Sequence, residues 1–244
     1  MTRRFAVVHE AEADFQTATD LADQVLVEAF ASWLDDESVV YQREWVSQEP
    51  GGRRLTWKAM RRLAEAAGIE AEGYFDGRPG LADARAARRA ILYLRDAFPQ
   101  LDGILLVRDR DDQRERRDGL DQARKEHHGQ MVVVVGLAVV EREAWVISGF
   151  EPQDDQETTR LNAERQALGF NPCERSHELT ACKDDTAKRS PKRVLRELTL
   201  DDREREARCW RTTPLSTLKQ RGGANGLAAY LAEVRQHLAP LIGS

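Results

Sequence analysis

Long hydrophobic runs are missing from this chain of 244 residues. The longest, Met131 to Val140, is about half of the roughly 20 residues that a membrane-crossing helix requires, so no membrane partner is expected. At the N-terminus only Phe5 to Val8 form an apolar stretch before His9 and Glu10, far short of a secretory signal, and a cytoplasmic protein is expected. Cysteine is scarce. Cys173, Cys182 and Cys209 are an odd number in a chain long enough to build its own core, which argues for reduced thiols rather than a disulfide framework. Their spacing, with His177 between the first two, matches no common zinc pair such as Cys-x-x-Cys. A positive excess is absent too: 37 Lys+Arg stand against 42 Asp+Glu, a net charge of -5. That excludes a uniformly basic nucleic-acid coat protein while leaving local basic surfaces open. No internal repeat, low-complexity tract or Walker A pattern occurs.

What is present is 41% hydrophobic and 32% charged residues, suited to one domain with appendages or two small ones. Phe5 to Val8 reads as a buried strand. Phe15, Ala18, Ala22, Val25, Ala29 and Trp33 then follow helical spacing. Val39 to Val46, rich in β-branched and aromatic residues, predicts a second strand ended by Pro50-Gly51-Gly52. Helices are expected over Thr56 to Ala67, Leu81 to Phe98 and Asp111 to His128, with continuous apolar strands at Gly103 to Val107 and Met131 to Val140. Strands alternating with helices imply an α/β domain with a mainly parallel sheet over residues 1–150. Beyond it, helical stretches at Glu157 to Leu168, Pro191 to Trp210 and Asn225 to Leu241 predict a helical C-terminal region over 151–244, packed on the sheet domain or on a partner.

Carboxylates gather where those strands end. Glu10 follows the first strand, and Asp109 and Asp111 follow Gly103 to Val107, the edge at which open α/β sheets bind ligands. In an extended segment Asp109 and Asp111 would point to one side. Convergent carboxylates call for a hard divalent cation, Mg²⁺ or Mn²⁺, which takes oxygen ligands. Glu141 and Glu143 follow the last strand with the same period-two spacing. Glu143, beside Ala144 and Trp145, is the favoured further ligand or base, although the pattern hardly separates the two.

The stretch Val7-Val8-His9-Glu10-Ala11-Glu12, followed by Ile104-Leu105-Leu106-Val107-Arg108-Asp109-Arg110-Asp111, resembles the Toprim domain of topoisomerases, primases and OLD-family nucleases. Its pattern is a strand ending in Glu and a later strand ending in Asp-x-Asp. Glu141-Arg142-Glu143-Ala144-Trp145 and Pro191-Lys192 extend the likeness to small Toprim-like proteins of anti-phage defence. The resemblance covers residues 5–150 well and the rest weakly. It implies a Toprim-like, Rossmann-like fold and a metal-dependent nuclease. Glu10 would be the acid/base or a metal ligand, Asp109 and Asp111 metal ligands, Lys192 a catalytic lysine, and an OLD-type ATPase a partner. The sequence departs from the family where Ala11 replaces the usual glycine and where Arg108 and Arg110 flank the first aspartate.

The chemistry follows from the residues as well: a cation held by these carboxylates can activate water against a phosphate ester, singly or as a pair. Topoisomerase chemistry would need a tyrosine nucleophile, and Tyr41, Tyr74, Tyr93 and Tyr230 all fall in expected core elements or turns. A DNA or RNA substrate would find two basic concentrations: Arg53, Arg54, Lys58, Arg61 and Arg62 around Trp57, and Lys183, Lys188, Arg189, Lys192, Arg193 and Arg196. The alternative expectation is a non-catalytic Toprim-like subunit that binds an ATPase partner or nucleic acid. Homo-oligomerisation, and whether one or two metals are held, stay open. His9 and Trp145 are expected in the core.

Overall fold

The computed structural model describes residues 2–75, 77–181 and 184–243; Cys182 and Lys183 lie outside them. Phe5 to Val8 are fully buried in strand β1 (Arg3–Val8), which occupies the middle of a four-stranded parallel sheet of order β2-β1-β5-β6. The others are β2 (Arg43–Val46), β5 (Gly103–Asp109) and β6 (Val132–Ala138). Phe5 pairs with Trp45 on one side, and Val8 with Leu106 on the other. β1 and β5 therefore end at the same edge. Residues 104–107 and 133–135 are apolar and buried without alternation, as expected of strands covered on both faces. A two-stranded ribbon, β3 (Tyr74–Phe75) with β4 (Arg78–Pro79), stands apart from the sheet.

The chain divides into two compact units: Met1–Arg108, Gln113–Gly136 and Ala232–Ser244 form one, and Asp109–Asp112 with Leu137–Leu231 the other. The first holds α1 (Glu12–Ala29), the single turn α2 (Val39–Gln42), α3 (Trp57–Ala66), α4 (Ala82–Ala97) and α5 (Arg116–Glu126). Helix α4 packs with both α3 and α5, and α1 packs against the π-helical turn Val234–Leu238. The second holds α6 (Arg142–Ser148), α7 (Asp155–Leu168), α8 (Pro191–Thr199), α9 (Arg203–Arg211), α10 (Leu215–Arg221) and α11 (Leu227–Glu233), whose last residues pass into the first unit. Helix α12 (Ala239–Ile242) closes the first unit against α1. No described helix is long and apolar enough to cross a membrane.

Several expectations are corrected. The units do not divide at residue 150: α6 buries Trp145, Val146 and Ile147 among the helices that follow it, packing with α8 and α9, while the chain from Ala232 onward returns to α1. Val39 to Gln42 is a helical turn and only Arg43 to Val46 is strand. Asp35 and Ser38 exchange hydrogen bonds (Ser38 N–H to Asp35 Oδ1 2.8 Å, Asp35 N–H to Ser38 Oγ 3.0 Å) that start the turn and override β-branched propensity. The charged helix begins at Arg116 rather than Asp111. Pro191 to Trp210 is two helices, broken where Leu200 and Asp201 adopt left-handed φ of 56° and 57° and where Asp202 caps α9 through the Glu204 and Arg205 N–H groups.

Candidate functional site

In the second unit, the segments after β5 and β6 are laced together. The Arg110 N–H donates to the Ala138 carbonyl (2.7 Å) and the Asp111 N–H to the Val140 carbonyl (3.1 Å). Asp111 and Val140 both take left-handed conformations, φ 49° and 78°, so the extended run assumed for Asp109 to Asp111 does not occur. Asp109 instead turns to α6, where its Oδ1 accepts the N–H of Arg142 at 2.7 Å, one of the orphan donors of a helix N-terminus. Glu141 is the N-cap residue and Glu143 lies in the first turn. The period-two spacing expected for them is lost, because α6 begins between them.

The two glutamates differ in surroundings. Glu143 lies 3.3 Å from the Arg142 guanidinium, whose other arm reaches Glu206 at 2.7 Å. The Glu141 side chain is only 10% exposed, and its Oε1 lies 3.9 Å from Lys192 Nζ. Burial pushes the Glu141 carboxyl up to about 7; Lys192 opposes the rise, and the charges of Glu143, Asp111 and Asp185 add to it. Partial burial works against the Lys192 charge, yet the summed attraction of Glu141, Glu143, Asp185 and Asp109 holds its pKa above the usual lysine value. Asp109, Asp111, Glu141, Glu143 and Lys192 thus share one electrostatic neighbourhood. Asp185, 3.8 Å from Lys192, joins them; nothing in the sequence pattern singled it out.

This set offers, in its carboxylates, only oxygen donors, the kind a hard divalent cation takes. Its geometry is open. Among the described residues no three His, Cys, Asp or Glu side chains gather closely enough to hold an ion.

Glu10 belongs to the first unit. It follows β1, and its Oε1 lies 3.3 Å from Arg108 Nε. Arg108 also pairs with Asp83 and lies over the Trp57 ring, 4.8 Å from its centroid. The Trp57 Nε1–H donates to the Val107 carbonyl at 2.8 Å, which fixes the ring. Together Glu10, Trp57, Lys58, Arg61, Arg62, Glu65, Ala86, Arg89 and Arg108 line a cavity of about 790 Å³, so the basic run around Trp57 is one wall of a concave site. Arg89 and Arg108 are the members that the sequence pattern did not connect to it.

The departure at Ala11 carries no steric penalty. Its φ of −133° is extended backbone, which any residue adopts, but its N–H is occupied by Asp14 Oδ2 at 2.6 Å and does not point to a free anion site. His9 is fully buried. Its Nδ1–H donates to the Ala11 carbonyl (2.8 Å), and burial holds its pKa below the usual value. In the second basic concentration Arg193 is tied to Glu164 (2.6 Å), and Lys192 faces the acidic cluster, 3.9 Å from Glu141. Cys173 and Cys209 are free and buried, and Trp145 is a core residue stacked on Tyr230 at 5.1 Å. Comparison of the chain with protein-family models, with curated proteins and with solved structures found no match.

Proposed function

We propose that this protein is a metal-dependent phosphodiesterase of Toprim type that acts on nucleic acid, serving as a defence effector beside an OLD-type ATPase. The observation that carries the reading is the gathering of Asp109, Asp111, Glu143 and Asp185 around Glu141 and Lys192 in one electrostatic neighbourhood, where burial first and the neighbouring carboxylates second raise Glu141 to about 7. Support also comes from a parallel sheet whose adjacent strands β1 and β5 lead into Glu10 and Asp109. In the second unit Asp109, Asp111 and Glu143 would hold Mg²⁺ or Mn²⁺. When bound, such a cation polarises a phosphoryl oxygen and lowers the pKa of water.

The chain's own groups have defined tasks in this reading. Glu141, buried and 3.9 Å from Lys192, takes and returns a proton as a general acid/base does. Lys192, kept charged by its acidic neighbours, sits two positions into helix α8 and neutralises a phosphate oxygen. Asp109 positions the start of α6 and thereby Glu141. These 244 residues hold no Walker A sequence.

The test is cleavage of labelled DNA and RNA panels in Mg²⁺, Mn²⁺ or EDTA, paired with calorimetric titration of each cation. Cation binding with cleavage abolished by EDTA is expected; neither cleavage nor cation binding would refute the assignment. A second reading, a non-catalytic Toprim-like subunit, is favoured by Ala11, whose N–H Asp14 already occupies at 2.6 Å. It predicts nucleic-acid or partner binding without cation uptake.

A further inference from the structure

The cavity of the first unit is electropositive in a specific way. Of its five cations, Arg108 is paired with Glu10 and Asp83, Arg89 with Glu72 (2.7 Å) and Arg61 with Glu65 (2.9 Å). Lys58 and Arg62, one helical turn apart on exposed positions of α3, have no ion-pair partner among the described residues. They also line an adjoining cavity of about 450 Å³ with Arg53, Thr56 and Ala59. Arg53 likewise has no ion pair among the described residues. Two concavities are therefore joined along one helix face by unneutralised cations, while the opposite face of α3 buries Met60, Leu63 and Ala64 in the core.

Charge alone would suit any anion; the aromatic wall narrows the choice. Trp57 is held by its indole N–H, and the Arg108 guanidinium lies over its ring. Flat aromatic and guanidinium surfaces inside a basic groove are what unpaired bases stack on, whereas a duplex keeps its bases covered. The cations Lys58 and Arg62 line both cavities, so the charged row is longer than either one.

We infer that the α3 face, from Arg53 through Lys58 and Arg62 to the Trp57–Arg108 stack, grips a single-stranded nucleic acid, with successive phosphates on the three unpaired cations and a base against the stack. This deepens the proposed function and rests on it only for the substrate class; it stands or falls by binding, whatever the catalytic outcome.

The experiment is fluorescence anisotropy with a labelled 12-nucleotide DNA and its RNA counterpart, in EDTA so that no cleavage intrudes. Wild type is compared with Lys58→Ala/Arg62→Ala, and with Arg4→Ala/Arg235→Ala, which removes two cations paired elsewhere, with Glu44 and Glu28. The Lys58→Ala/Arg62→Ala protein should bind at least about tenfold more weakly, and its slope of log affinity against log salt should be shallower by about 1.4, roughly 0.7 for each lost phosphate contact. The control should bind as wild type does. Equal binding by the α3 variant, no binding by wild type, equally tight binding of a blunt duplex, or full competition by an equimolar mononucleotide would each overturn the assignment. Binding without metal-dependent cleavage in the panels above would leave this inference standing and remove the phosphodiesterase reading.

Discussion

Replacing Asp109 separates a structural role from a chemical one, because the two act through different properties of the same carboxylate. Its Oδ1 accepts the Arg142 N–H at 2.7 Å, and that donor, at the first residue of α6, has no acceptor within the helix. Asp109→Ala orphans it and should cost about 1–2 kcal/mol, lowering the melting midpoint by about 2–4 °C for each kcal/mol in a chain of this size. Asp109→Asn keeps an oxygen at the same place and removes only the charge. Since Glu143 and Lys192 of opposite sign both feel this neighbourhood, the stability change should stay within about 0.5 kcal/mol. Cation affinity behaves otherwise: an amide oxygen is a poorer ligand, and a loss of at least about tenfold in Mn²⁺ affinity is expected for Asn and Ala alike. Thermal melts and Mn²⁺ calorimetry on the three proteins measure both quantities. An Asn variant that binds Mn²⁺ and cleaves as wild type does would reduce Asp109 to a helix cap. An Asn variant as unstable as Ala would refute the hydrogen-bond reasoning itself.

Glu157 and Arg205 form a nearly inaccessible pair, with side chains 7% and 5% exposed and contacts of 2.6 and 2.8 Å; Glu157→Ala strands a buried guanidinium and should cost about 3–5 kcal/mol in urea unfolding. The hydrogen bond from Arg205 holds the Glu157 carboxyl below its usual range, against the burial that raises it. The pair's stabilisation is therefore complete above the unfolded glutamate pKa and is lost as pH falls through the lower folded value, so the gap between wild type and Glu157→Ala should close in acid; a gap that widens would refute the assignment. Burial pushes the Cys173 and Cys209 thiols up to about 12, and both should resist alkylation at pH 8 until the protein unfolds, as peptide mass mapping reports; rapid native labelling of either would contradict their burial.

The sheet was legible because its strands are apolar throughout: Phe5 to Val8 and Gly103 to Val107 admit no other reading once they alternate with amphipathic helices. Helices α3 and α4 announced themselves by period and by their stops at Gly68 and Pro99. Illegible were the places where a local polar contact outweighs propensity, such as the Asp35–Ser38 exchange that makes a helical turn of Val39 to Gln42. The same holds at the acidic cluster. Asp109, Asp111, Glu141, Glu143 and Lys192 could be chosen by residue type and strand context, yet their orientation depends on two left-handed residues that no periodicity signals. Which glutamate is buried against Lys192 was decided by where α6 starts. Asp185 arrives through the loop before α8, and sequence distance gave no reason to pair it with residues near 141.

Among the described non-glycine residues, φ is positive at Asp111, Val140, Leu200 and Asp201. The last two only break a helix. The first two are joined by the hydrogen bond from the Asp111 N–H to the Val140 carbonyl (3.1 Å), and they immediately precede or enter the acidic cluster. For a β-branched residue such as Val140 the left-handed region costs about 1–2 kcal/mol, and the side chain is nonetheless kept and buried at 4% exposure. The charge of Asp111 adds to the rise of the Glu141 carboxyl, so like charges are felt across this junction. The fold thus holds backbone strain and like-charge crowding at the same junction. Strain and crowding coincide at the place where the proposed function puts its acid/base group.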